Sequence, residues 1–187
     1  MLVDVARQLF ARKGVDETTM NDIAQASGKG RRTLYTYFKS KNEIYSAVVE
    51  SELDRLYKVL CDVAEKNLLA DEKLMTLIYT RLEAVMALVL RNVTLRASFF
   101  CYIWSVEKVR KGFDLREVEI IKGILDDGVR EGVFSMPDTD ITALVLHHAL
   151  KGLEVPYIRG IMGDNISQRI KRRDNVMNLI FNGIKIK

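Results

Sequence analysis

Apolar residues in this chain recur at helical spacing and never settle into the alternation of a strand, and that periodicity confines it to an all-α fold. Leu2, Val5, Ala6, Leu9 and Phe10 mark the stripe of an amphipathic helix that Gly14 stops. Thr19 then offers a capping hydroxyl with Asp22 three residues on, and Met20, Ile23 and Ala24 share one face. Ser27-Gly28-Lys29-Gly30 ends this second helix almost at once. Arg31 to Phe38 forms a third, and Ser40-x-x-Glu43 is a capping box that opens a fourth at Lys41, with no convincing stop before Asn67. A fourth helix near twenty residues, about 30 Å long, can bridge two modules. Further helices are expected at about 72–91, 94–111, 115–131, 138–155 and 166–183. Weak turn signals at Gly112-Phe113-Asp114, Gly132 to Pro137 and Gly160 to Asn165 part them.

Two short helices joined by a tight glycine-containing turn, with a longer helix before them, are the arrangement of a helix-turn-helix reader. Its second helix, here Arg31 to Tyr37, would be the one to enter a major groove. Charge agrees with that placing. Residues 1–45 hold 8 basic and 5 acidic side chains, whereas residues 46–187 hold 21 and 20. Within Lys29 to Lys41 stand Lys29, Arg31, Arg32, Lys39 and Lys41 and no acid, a patch suited to phosphates, although a merely solvated basic face has the same composition. The expected division is therefore a DNA-binding domain over 1–45 and a larger all-helical body over 46–187.

Other classes fall away. A chain of 187 residues can bury a sizeable core without disulfides or metals. Cys61 and Cys101 lack a CxxC partner and read as two buried thiols in a reducing compartment. The first turns mix acid and base, unlike a signal peptide, and the apolar stretches Ala84 to Leu90 and Ile141 to Leu146 are far shorter than a membrane span. A cytoplasmic protein is expected, with no membrane association. No Gly-x-Ser-x-Gly, phosphate-binding glycine loop or carboxylate pair beside a His appears, so an enzyme is not expected, nor a cofactor. His147 and His148 are adjacent on a helix, about 100° apart, and cannot readily chelate one metal.

The segment Ile141 to Val155 is apolar on two sides. Ile141, Leu144, Val145, His148, Ala149 and Gly152 make one face, and Leu146, Leu150, Leu153 and Val155 much of another. One side can pack on its own core while the other needs a partner. The last segment, with Val176, Leu179, Ile180, Gly183 and Ile184 on one face, could complete a four-helix bundle across a twofold axis. The alternative is a helix that is simply central in a monomer. Aromatic and sulfur-bearing residues concentrate at Tyr79, Met86, Phe99, Phe100, Cys101, Tyr102 and Trp104, a composition shared by ligand pockets and by plain cores.

The run Thr18-Thr19-Met20-Asn21-Asp22-Ile23-Ala24-Gln25-Ala26-Ser27-Gly28, followed by Thr33-Leu34-Tyr35-Thr36-Tyr37-Phe38-Lys39-Ser40-Lys41-Asn42-Glu43-Ile44, closely resembles the signature of the TetR (tetracycline-repressor-like) family of bacterial transcription regulators. The resemblance is specific over residues 2–48 and weaker beyond, where Gly128 to Phe134 and Gly152-Leu153 carry it. It implies an all-helical homodimer whose amino-terminal domains read a near-palindromic operator and whose body holds a small-molecule effector pocket. The function expected is a repressor released from its operator by a largely apolar effector. Two positions depart from the pattern: Lys29 stands where members usually carry a small apolar residue, and Arg32 where they carry a small one. Members also carry several residues, often basic, ahead of the position of Leu2. Either the native protein lacks that arm or the sequence was cut.

On this reading one of Arg31 and Arg32 addresses a base and the other a phosphate. Thr33 and Tyr37 donate hydroxyls to phosphate, Tyr35 does so or touches a thymine methyl, and Lys29 adds charge at the turn. Lys41 favours a phosphate at the start of the fourth helix, and Thr19 is a cap first and a phosphate donor second. The effector pocket is expected to draw on Tyr79, Met86, Phe99, Phe100, Tyr102, Trp104 and His147. The dimer interface is expected to draw on Leu144, Val145, His148, Gly152, Val176, Leu179 and Ile180. The rival reading is a ligand-binding or protein-interaction module whose helix-turn-helix no longer binds DNA.

Overall fold

The structure is a computed structural model, and it describes residues 1–91, 103–158 and 174–182. Its helices are α1 (Leu2–Lys13), α2 (Met20–Ala26), α3 (Arg31–Tyr37), α4 (Lys41–Ala64), α5 (Ala70–Arg91), α6 (Ile103–Arg130) and α7 (Thr139–Ile158), with a further helical stretch over 174–182. No strand occurs among the described residues. By contact the chain divides into two units, Met1–Arg55 with Ala87–Phe113, and Leu56–Met86 with Asp114–Lys187.

In the first unit Ala6, Phe10, Val15, Ile23, Ala24, Leu34, Ile44, Tyr45 and Val48 form one buried cluster. The apolar stripes of three short helices thereby close on the first turns of α4, and the Phe10 and Tyr45 rings meet edge to face at 6.0 Å. None of these helices is long enough to be stable alone, so each large side chain buried here, at about 1.5–3 kcal/mol, holds the set together.

The turn between α2 and α3 is a Schellman cap. The Lys29 N–H donates to the Ala24 carbonyl and the Gly28 N–H to the Gln25 carbonyl, both at 3.1 Å, with Gly28 at φ +65°. The expected capping box at Ser40 forms by half. The Glu43 N–H donates to Ser40 Oγ at 3.2 Å, but the Glu43 carboxylate accepts from the N–H of Lys39, one residue earlier, at 2.7 Å.

In the second unit Leu60, Leu74, Leu77, Ile78, Leu82, Ile121, Leu125, Phe134, Leu146 and Leu150 are buried. The break expected at Gly112-Phe113-Asp114 does not occur, because those residues lie inside the single helix α6. One interior glycine costs only about 1 kcal/mol. The stripe carrying Phe113, Ile121, Ile124 and Leu125, all buried, continues in phase across it. No helix among the described residues is long and apolar enough to cross a membrane.

Candidate nucleic-acid interface

The α2–turn–α3 unit presents one inward and one outward side. Leu34 is fully buried, while Lys29, Arg31, Arg32, Thr33, Tyr35, Thr36 and Tyr37 are all exposed. With the Lys29 N–H engaged in the turn, the side chain is free to extend into solvent, which is how a lysine stands where a small apolar residue is usual. The Arg31 guanidinium lies over the Tyr35 ring, 5.6 Å from its centroid.

Thr19 caps α2 as expected. Its Oγ1 accepts the Asp22 N–H at 3.1 Å and its own N–H donates to Asp22 Oδ2 at 2.9 Å. That backbone N–H, the Thr19 hydroxyl and the nearby Lys13 hold the Asp22 carboxyl below its ordinary range. Lys41 is half-buried, and its ammonium donates to the Asp16 carbonyl at 2.9 Å, tying α4 to the loop ahead of α2. An ammonium has three donors, so a phosphate contact remains open to it.

The result is a short convex rod carrying fixed positive charge, hydroxyls and two exposed phenols, with no carboxylate between Lys29 and Lys41. A rod of this width fits a major groove and its flanking phosphates. The family model for "Bacterial regulatory proteins, tetR family" matches residues 2–48, the same stretch that builds this unit. The repressor KstR2 of Mycolicibacterium smegmatis is 31% identical over 148 residues, covering 75% of this chain and 68% of that protein. The chain belongs to the TetR family. It is a DNA-binding transcriptional regulator, as the members of that family are, and not an enzyme.

Among solved structures, a transcriptional regulator from Cytophaga hutchinsonii matches this TetR chain with a TM-score of 0.80 at 25% identity, over 99% of this chain and 97% of that one. The ketosteroid regulator KstR2 of Mycobacterium tuberculosis shares the fold, with a TM-score of 0.63 at 20% identity, over 100% of this chain and 94% of that one.

Of the residues expected at an effector pocket, Phe99, Phe100 and Tyr102 lie outside the described residues, as do the side chains of Met86 and Trp104. Tyr79 is half-buried, with its hydroxyl 3.5 Å from Asp174 Oδ1. His147 is buried and His148 exposed, with their ring centroids 5.0 Å apart.

His147 also belongs to a buried charge cluster that the sequence reading does not anticipate. Its Nδ1 lies 2.6 Å from Glu117 Oε2, and its Nε2 lies 3.7 Å from Asp114 Oδ1. Glu117 Oε1 accepts from Arg81 Nε at 2.5 Å, and Arg81 Nη2 stands 2.9 Å from Glu154 Oε1. Lys151 reaches Asp114 Oδ2 at 2.9 Å. Arg81 and Glu117 are wholly buried. The available signal was phase: Arg81 falls in the stripe of Leu74, Leu77, Ile78 and Leu82, and Glu117 in that of Ile121 and Ile124. Burial disfavours a charged Glu117, yet His147 and Arg81 together hold its carboxyl below the ordinary value. Burial likewise disfavours a charged His147, yet Asp114 and Glu117 together raise its imidazole above the ordinary value.

Proposed function

We propose that this TetR-family chain is a dimeric repressor that holds a near-palindromic operator through residues 1–45 and is released when a small, largely apolar effector binds within residues 46–187. It acts in the cytoplasm, on double-stranded DNA. The observation that carries this reading is the outward-facing stretch from Lys29 to Lys41, which holds no carboxylate. In it Arg31, Arg32 and Lys29 supply charge, Thr33, Tyr35 and Tyr37 supply hydroxyls, and Lys41 adds an ammonium, while Thr19 at the start of α2 adds a further hydroxyl. Each phosphate neutralised releases counterions, so binding should fall steeply with salt.

Dimerisation is supported by α7. Its inner side buries Ala143, Leu146, His147 and Leu150, while Ile141, Leu144, Val145, His148, Ala149 and Gly152 remain exposed in the single chain. Along 174–182, Leu179 is 77% exposed beside half-buried Val176 and Ile180. Apolar surface of this kind is what a second copy covers about a twofold axis. The KstR2 of Mycolicibacterium smegmatis is named a repressor and the solved KstR2 of Mycobacterium tuberculosis a ketosteroid transcriptional regulator, which favours repression and an effector with a large apolar body. The helix α4 carries Ile44 and Tyr45 of the reading head's core and, further along, buried Leu60 and Val63. An effector that favours one position of α4 changes the spacing of the two α3 helices, which must stand about 34–36 Å apart to occupy successive grooves.

Light scattering at micromolar concentration, paired with gel retardation of selected duplexes across a salt series, tests the reading. A dimer whose operator affinity falls steeply with salt is expected. Single chains that retard no duplex at low salt would overturn it.

A further inference from the structure

On a helix of 3.6 residues per turn, positions two before and two after a buried residue lie about 200° round from it. Leu34 is the buried residue of α3, so Arg32 and Thr36 form the ridge pointing straight away from the protein. Arg31 and Tyr35 stand on one flank of that ridge, Thr33 and Tyr37 on the other. The Arg31 guanidinium is drawn along its flank by the Tyr35 ring, 5.6 Å away. Thr36 has a further constraint: its Oγ1 donates to the Arg32 carbonyl at 3.1 Å. A threonine hydroxyl turned back onto its own helix leaves the γ-methyl as its outward atom.

We propose that Thr36 and Arg32 are the base-reading edge of the recognition helix, Thr36 through its methyl on a thymine C5-methyl and Arg32 through its guanidinium on guanine O6 and N7. This assignment rests on the operator-binding reading above and deepens it, for it names a residue outside the expected contact set and gives Arg31 to the phosphates. The two side chains are one helical turn apart, about 6 Å along α3. Each half-site should therefore hold a guanine and a thymine one or two base pairs apart, at a base-pair rise of about 3.4 Å.

The test is in vitro selection of bound duplexes by the wild type, T36S, R32A and R31A, followed by replacement of each selected thymine with deoxyuridine, which lacks only the methyl. T36S keeps the hydroxyl and its bond to the helix and also loses only a methyl. One thymine is expected at which deoxyuridine weakens wild-type binding about four-fold, as for one methyl left in water, and leaves T36S indifferent. R32A should lose the guanine preference, worth about 5- to 150-fold, whereas R31A should weaken every sequence alike. A wild type that binds selectively but tolerates deoxyuridine everywhere, or equal penalties in wild type and T36S, overturns the assignment alone. Loss of the guanine preference in R31A and its retention in R32A overturns it from the other side. A wild type that selects no sequence removes the operator-binding reading together with it.

Discussion

At His147 burial and neighbouring charge pull the protonation of the imidazole in opposite directions. Burial works against the charge, but Glu117 Oε2 at 2.6 Å and Asp114 Oδ1 at 3.7 Å outweigh burial and raise its pKa above the ordinary 6.5. Stabilisation from a raised pKa is fully present below the unfolded value and is lost as pH climbs through the folded one. Glu117 behaves oppositely: held below its ordinary 4.5, it stabilises above that value and ceases to as pH falls through its folded one. The pair should therefore give the body its greatest stability between about pH 4.5 and 6.5, with Tm declining on the alkaline side. The chain has two histidines, so the decline can be assigned. His147→Gln should flatten it, whereas His148→Gln, at an exposed position, should leave it in place. A wild-type Tm that tracks that of H147Q from pH 6 to 9 would show that the proton is not held. Sequence periodicity can reveal that Arg81 and Glu117 sit in apolar stripes, but pairing between separate helices is a tertiary fact that no local pattern encodes.

The end of α6 is a case where a short sequence sets its own geometry and then anchors a second helix. Val133 and Gly132 donate to the carbonyls of Gly128 and Val129 at 2.9 and 3.1 Å, a Schellman cap that needs Gly132 at φ +71°. The Phe134 ring then folds against Gly128, and Glu131 Oε2 accepts the Ala70 N–H at 3.0 Å, capping the start of α5. A Cβ at position 128 would meet Phe134 Cε2 at 2.7 Å and Ala70 Cβ at 3.0 Å. Gly128→Ala should therefore destabilise the protein by about 1–3 kcal/mol through overpacking, although alanine is the better helix former by about 1 kcal/mol. Denaturant unfolding checks the sign, and a gain in stability would refute the packing argument. Helix ends of this kind, like Gly28 after α2 and Thr19 before it, were legible in sequence because their chemistry is local. Gly112 carries the same letter inside a helix, and only the continuing stripe of Phe113, Ile121 and Ile124 decides that α6 runs through it. The Ser40 box was legible as a start but not in its pairing, since which N–H the Glu43 carboxylate takes depends on how the chain leaves α3.

At the scale of the whole molecule, the proposed dimer would grip one half-site with each head, and useful affinity would require the two heads to be held at a fixed separation. On that proposal everything rests on what joins them, and the outward side of α7 is where the joint should break without harming the chain. Val145 is 60% exposed in the single chain, and its helix is anchored from the other side by Leu146, His147 and Leu150. A charge at position 145 should therefore cost the isolated chain no more than about 0.5 kcal/mol, as exposed substitutions generally do. In a dimer the same change buries two like charges close to the twofold axis without partners, a penalty of several kcal/mol. Val145→Glu should accordingly leave the helical circular dichroism unchanged while light scattering reports monomers. Its retardation of a full operator should fall to that of a half-site, while its salt slope per half-site stays the same. An intact dimer in V145E, or a monomer that grips the full operator as tightly as the wild type does, would place the joint elsewhere and return α7 to the role of a helix whose outer side faces only water.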